Sequence, residues 1–258
     1  MRKAIVTGAY GAIGKAIARG VASHGYHVTL VGRDASALSA CRDDLVSETG
    51  NDHITFQAVD LSEKQEIKAF AEDWSGPLHL LINNAATTPR TRTETSQGIE
   101  MQFATNVLAY FWMMRYFSEH MKGQDDARIV NVASYWAGDL DLDDLEFTRR
   151  PYDNDTVYRQ SKQADRVLTV AFAERLRQDG ISVLAAHSGD VRSKLSSSLG
   201  HGGWESPDAG AETPLYCALE PRLKGVTGKY FAHGQEETCR FSKNKGAVER
   251  LYALCETY

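Results

Sequence analysis

The chain has 258 residues, with 29 Lys and Arg against 34 Asp and Glu and a formal net charge of -5. That balance excludes a general affinity for nucleic acid or anionic lipid, and 42% hydrophobic with 24% charged residues is ordinary for a soluble globular protein. The length admits one large domain or two small ones, with a core that needs no disulfide or metal.

Short apolar runs alternate with longer segments of helical spacing. KAIVT (3–7) reads as a buried strand, and 12–24 as the helix that follows it. HVTLVG (27–32), a helix near 35–48, ITFQAV (54–59), a helix near 63–74 and LHLLIN (78–83) continue the alternation. A long amphipathic stretch at 98–121 precedes RIVNVAS (128–134). A helix at 155–178, ISVLAAHS (181–188) and a last short strand GKYF (228–231) follow. This order predicts a single α/β domain with a parallel, doubly wound sheet, a Rossmann-type fold with helices on both faces. SSSLGHGGWESPDAG (196–210) reads as a long loop, which the Ser and Gly content marks as a mobile lid over a substrate pocket.

Cys41, Cys217, Cys239 and Cys255 form no C-x-x-C pair, and the eight histidines form no metal-ligand pattern. Reduced thiols in a cytoplasmic protein without a metal are the expectation. MRKAIVTGAY enters a strand pattern at once, which leaves no place for a signal peptide, and no apolar run is long enough for a membrane span.

TGAYGAIG (7–14) lies between the first strand and the first helix. Gly8 suits the tight turn, Gly11 leaves space for a phosphate, and Gly14 lets the helix approach the sheet. The free N–H groups and the helix dipole then favour a pyrophosphate. At the tip of the second strand, Gly32 stands where a carboxylate would bind the ribose of NAD, and Arg33 follows it. A guanidinium there suits a 2′-phosphate, so NADP is expected over NAD. Asp34 reads as the cap of the next helix.

Tyr158 and Lys162 in VYRQSKQA are four residues apart, hence on one face of a helix. A tyrosine with its pKa near ~10 is a poor base at neutral pH, and lowering it by about three units takes roughly 4 kcal/mol. One ammonium at about 4 Å, in an effective dielectric of about 20, supplies on the order of 4 kcal/mol. The pair therefore fits proton transfer to or from an alcohol or carbonyl oxygen.

With the glycine turn, VAS at 132–134 and YRQSK at 158–162 in order, the chain resembles the short-chain dehydrogenase/reductase family over nearly its whole length. RIVNVAS, GDLDLDDLEF, YRQSKQA, ETPLYCAL and GVTGKYF resemble the retinol dehydrogenase-like branch, as do the 24 positions from Ser134 to Tyr158. The resemblance implies Asn106, Ser134, Tyr158 and Lys162 as the catalytic set. Ser134 would hold the substrate oxygen, and Asn106 would hold Lys162 through backbone and water. It implies a cofactor site of Thr7, Gly8, Gly11, Ile13, Gly14, Arg33, Asp60, Leu61, Asn84, Ala85, Tyr158, Lys162, Gly189, Val191 and Ser193. A homodimer or homotetramer through the helices near 98–121 and 155–178 is implied as well, provided an apolar outer face exists there.

The sequence departs from the family pattern at Ala12 in the glycine turn, Ala86 after Asn83-Asn84-Ala85, and Ser188 and Ser193 in HSGDVRS. Tyr135, Trp136 and Trp204 are candidates to line an apolar pocket, and Tyr152 is a loop or pocket residue. Two other functions compete with an NADP-dependent alcohol/carbonyl oxidoreductase. One is a nucleotide-sugar epimerase or dehydratase, suggested by glycines at 8, 11 and 14. The other is a non-catalytic dinucleotide-binding redox sensor, which would not need the Tyr/Lys pair.

Overall fold

The computed structural model describes residues 1–258. Its centre is an eight-stranded sheet in the order β3-β2-β1-β4-β5-β6-β7-β8. The strands are β1 (Lys3–Thr7), β2 (His27–Gly32), β3 (Ile54–Ala58), β4 (Leu80–Asn83), β5 (Ala127–Ala133), β6 (Ile181–His187), β7 (Lys229–Ala232) and β8 (Gln235–Glu237). β1 to β7 pair in parallel, and β8 alone runs antiparallel against β7. The central strands are buried on both faces, which is why they read as continuous apolar runs rather than alternating ones.

Helices cover both faces. One face carries α1 (Ala12–Ser23), α2 (Ala35–Thr49) and α7 (Pro207–Leu219) over a core that includes Ile17, Val21, Leu38, Leu45 and Cys217. The other carries α3 (Lys64–Glu72), α4 (Ala109–Met121), α5 (Asn154–Arg175) and α8 (Lys245–Glu256) over Ile67, Phe111, Trp112, Leu168 and Leu251. Strand order reverses between β1 and β4, and this switch point opens a crevice at the carboxyl ends of the strands.

Four local features differ from the sequence expectation. The 98–121 segment is not one α-helix: Phe103–Leu108 is a π-helical turn, with Ala109 N–H bonded to Ala104 O, and α4 continues from it. The 196–210 segment is not wholly irregular: a short helix, α6 (Lys194–Ser198), holds its start and α7 holds its end. β7 lies one residue later than GKYF, and β8, α7 and α8 had no counterpart in the reading by periodicity. In α7 a buried Pro214 interrupts the helical pattern. In α8 the signal was present: Asn244 caps Ala247 N–H, and Val248, Leu251 and Cys255 recur at helical spacing.

Helix α8 also bears on assembly. Tyr252 packs against Phe111 and Phe172 at ring separations of 5.1 and 5.3 Å, and Arg175 lies over its ring. The outer face shared by α4 and α5 is thus covered by the chain's own last helix. No helix is long and apolar enough to cross a membrane.

Candidate active site

The crevice is built first from backbone. Gly8 has φ +64°, and a Cβ on it would lie 2.8 Å from Ala85 Cα at the end of β4. A Cβ on Gly14 would lie 2.1 Å from Gly8 O. Only glycine permits this close crossing of turn, helix and strand end. Thr7 Oγ1 accepts from Asn84 N–H at 2.9 Å and Ala85 N–H at 3.1 Å, and Asn84 Nδ2 donates to Thr7 O at 3.0 Å. Thr7 and Asn84 therefore clamp the turn. Gly11 caps α1 with no side-chain hydrogen bond, so the first-turn N–H groups beside Ile13 are left for an anion. These uncapped N–H groups fit a dinucleotide pyrophosphate, and the close crossing that Gly8 and Gly14 permit sets the turn that presents them.

At the tip of β2, a Cβ on Gly32 would lie 2.5 Å from Cε1 of Tyr10, whose ring comes from the glycine turn. Arg33 is exposed and makes no hydrogen bond or ion pair within the chain, while Asp34 caps Ala37 N–H at 3.0 Å as expected. Past β3, Asp60 Oδ1 accepts from Ser62 N–H and Oγ at 2.9 and 2.7 Å, and Leu61 is buried beside it.

The four catalytic candidates arrive on three elements around one point. Ser134 ends β5 and is buried; its Oγ accepts from Trp136 N–H at 3.1 Å. Tyr158 and Lys162 share a face of α5, whose start is fixed by Asp153 accepting from Thr156 N–H at 2.9 Å. Asn106 lies in the π-helical turn, a local irregularity frequent at functional sites. Its amide grips Thr87 both ways, accepting from Thr87 N–H at 2.8 Å and donating to Thr87 O at 3.0 Å. It also donates to Ser161 Oγ at 3.2 Å, and Ser161 in turn donates to Tyr158 O at 2.8 Å.

The electrostatics differ from the sequence expectation. Burial pushes the Tyr158 phenol above its ordinary range, against the opposite pull of its contact with Ser134, and Asp165, Asp155 and Asp190 add to the rise. Lys162 is buried, and its ammonium donates to Asp165 Oδ2 at 2.9 Å, Val132 O at 3.0 Å and Tyr110 Oη at 3.3 Å. The ammonium thus already has a carboxylate partner, and its effect on Tyr158 is offset. Asp165 was not singled out from the sequence; its place three residues after Lys162, among the buried Ala164, Val167 and Leu168, was the available signal.

Two irregular segments wall the site. Between Ser134 and Tyr158, the buried Asp144 carboxylate accepts from the backbone N–H groups of Thr148 at 2.7 Å, Arg149 at 3.2 Å and Arg150 at 3.0 Å, and from Arg150 Nε at 3.2 Å. Gln160 of α5 donates to Asp144 O and Leu145 O, both at 3.2 Å. Burial alone would raise the Asp144 carboxyl, but these donors hold it down at about 2. Tyr152 donates to Pro89 O at 2.9 Å, so it braces this wall.

The second wall follows β6. Gly189 has φ +72°, and Glu205 lies against it so closely that a Cβ would meet Oε2 at 1.9 Å. Val191 is buried and bridges Glu205, and Ser193 caps α6 through Ser196 N–H at 3.0 Å. Asp190 accepts from Tyr135 Oη at 2.8 Å and Trp136 Nε1 at 3.0 Å, and so ties the two walls together. The Trp136 ring stacks on His201 at 5.6 Å. Trp204 does not pack into a pocket: it is 74% exposed, although its backbone N–H donates to Asp190 O. Neither Asp144, Asp190 nor Glu205 was picked out by motif: Asp144 gathers backbone donors of an irregular loop, Asp190 is met by side chains more than fifty residues away, and Glu205 is met by the backbone of Gly189 and Val191.

Residues 2–202 match the family model described as short chain dehydrogenase. A probable oxidoreductase of Streptomyces antibioticus is 34% identical over 256 residues, covering 91% of this chain and 86% of the relative. Retinol dehydrogenase 13 of Homo sapiens is 33% identical over 270 residues, covering 96% of this chain and 82% of the relative. The crystal structure of an uncharacterized protein from Mycobacterium paratuberculosis superposes with a TM-score of 0.83 at 27% identity, covering 100% of this chain and 92% of that one.

Proposed function

The chain belongs to the short-chain dehydrogenase/reductase family and is an NAD(P)-dependent oxidoreductase, and from that premise we propose that it prefers NADP(H) and interconverts an alcohol and a carbonyl on an apolar small molecule. The observation that carries the cofactor preference is the β2 tip. Tyr10 fills the space in which a side chain at position 32 would stand, so no carboxylate reaches the ribose, and Arg33 is unpaired beside it. A guanidinium without an internal partner recognises a 2′-phosphate by charge-assisted hydrogen bonds. The names of the retinol dehydrogenase relatives, and the stacked rings of Tyr135, Trp136 and His201, support an apolar substrate.

When bound, the nicotinamide donates or accepts the hydride. The chain's own groups do the rest. Thr7, Gly8, Gly11, Ile13, Gly14, Asn84 and Ala85 form the pyrophosphate cradle, with Arg33, Asp60 and Leu61 at the adenosine end and Gly189, Val191 and Ser193 at the nicotinamide end. Ser134 hydrogen-bonds the substrate oxygen as its charge changes. Tyr158 gives or takes the proton at that oxygen. Lys162 serves the cofactor ribose, on a helix held in place by Asn106 through Ser161. Residues 196–210 act as a lid. The four buried free cysteines support a cytoplasmic setting.

The test is cofactor affinity. Arg33→Ala should weaken NADPH binding about tenfold or more, one lost charge-assisted contact, and change NADH binding little. Equal affinity of the unsubstituted protein for NADPH and NADH would overturn the preference.

A further inference from the structure

Three of the four free cysteines are shut in: Cys217 and Cys255 have no exposed surface, and Cys41 donates from Sγ to Ala9 O at 3.4 Å. Cys239 stands apart. It follows β8 and lines a cavity of about 220 Å³ between α5 and the β7–β8 hairpin. Gln163 of α5 donates from Nε2 to Cys239 Sγ at 3.5 Å, and a donor on the sulfur favours the thiolate, the form that reacts. Two polar groups in the cavity wall have no partner. Tyr230 is only 4% exposed, and its Oη is buried without a hydrogen bond. Arg166 lies over the Tyr230 ring at 3.6 Å and donates to Ser134 O, while its Nε is buried and unpaired. Both groups can donate, and a carboxylate oxygen is an acceptor that satisfies them. Arg166 is also the one charged lining group that is not exposed. Lys229, Glu236, Glu237 and Lys243 are exposed at the mouth, where Lys229 pairs with Glu236 at 2.7 Å.

We propose that Cys239 is a site of reversible thiol modification by a small disulfide that carries a carboxylate, with Arg166 and Tyr230 receiving that carboxylate. The Cys239 thiol gives its proton to water, Sγ attacks one sulfur of the disulfide, and the old S–S bond breaks as the new one forms. Cys239 is oxidised. The other half of the disulfide is reduced, leaves as a thiolate and takes up a proton. Burial alone would raise the Cys239 thiol, but Gln163, Ser242 and the Arg166 charge outweigh it and hold it below its ordinary value. Burial raises the thiols of Cys41, Cys217 and Cys255.

The test treats the folded, reduced protein with oxidised glutathione and follows the adduct by intact-mass and peptide mass spectrometry. One glutathionyl group should add to Cys239 at least about tenfold faster than to any other cysteine, and dithiothreitol should remove it. Hydroxyethyl disulfide, which carries no carboxylate, gives the reference rate. The ratio of the glutathione rate to the hydroxyethyl rate should fall about tenfold in Arg166→Gln, the effect of one lost charge-assisted contact. The proposal is overturned if the first adduct sits on Cys41, Cys217 or Cys255. It is overturned equally if the folded protein takes up no glutathione while the urea-unfolded protein does, or if Arg166→Gln leaves the ratio unchanged. The first two outcomes need no variant to fold, and none depends on turnover.

Discussion

The two walls of the site are both irregular, yet they are held in different ways. The wall between Ser134 and Tyr158 is organised from inside by Asp144, whose side chain is only 2% exposed and gathers backbone donors from three successive residues. Beyond the buried Val191, the wall after β6 is held by more exposed contacts. His201, with a side chain 56% exposed, stacks on Trp136 and lies 3.5 Å from Asp155, and Ser198 O accepts from Asn154 Nδ2 at 3.1 Å. A buried carboxylate with many donors cannot let go piecemeal, because each freed N–H would stay desolvated. Exposed contacts can be exchanged for water at little cost. The difference teaches that Ser134 and Tyr158 are joined by a segment held through buried donors, while the segment proposed as a lid is held by contacts it can exchange for water.

The comparison breaks if Asp144 is dispensable. Asp144→Ala should cost about 3 kcal/mol or more, since it strands several buried donors, and the melting temperature in thermal unfolding should fall accordingly. The Asp144 carboxyl lies lower in the folded chain than in the unfolded one, at about 2. Its stabilisation is therefore complete above the ordinary carboxylate range and lost as pH falls from about 4 toward 2. An equally steep acid loss in Asp144→Ala would show that other groups carry it.

Tyr158→Phe should leave fold and cofactor binding intact and lower turnover at least ~100-fold, the lower range for losing a general acid or base. Steady-state kinetics on any carbonyl the protein accepts would check it, and near-normal turnover would remove Tyr158 from the mechanism.

On the wall after β6, His201→Ala should raise KM by about threefold to tenfold with less change in kcat if the proposed lid holds, because it removes one stacking contact from that segment. Amide exchange in 199–206 should be fast in the free protein and slow when cofactor and substrate bind, whereas 144–150 should be protected throughout. Equal protection of both walls in the free protein would erase the distinction. The smallest effect sharpens it: Tyr152→Phe removes the hydrogen bond to Pro89 O, should cost about 1 kcal/mol of stability, and should leave turnover near normal.

Some of this was legible in the residues alone. Apolar runs such as KAIVT and RIVNVA, short and set between helical segments, read as strands of a sheet covered on both faces, and β1 and β5 are such strands. The glycines at 8 and 14 encode a crossing too close for a Cβ, and the interval from Tyr158 to Lys162 encodes a shared helix face. These are local quantities: a period, a steric limit, a spacing. The tertiary structure decided the rest. It placed Asp165, not Tyr158, as the carboxylate or phenol oxygen bonded to Lys162, turned Trp204 to solvent, set Asn106 in a π-helical turn, and laid α8 over the face between α4 and α5. Each of these depends on what packs across from a residue, and desolvation and charge pairing are set by those neighbours rather than by the residue's place in the chain.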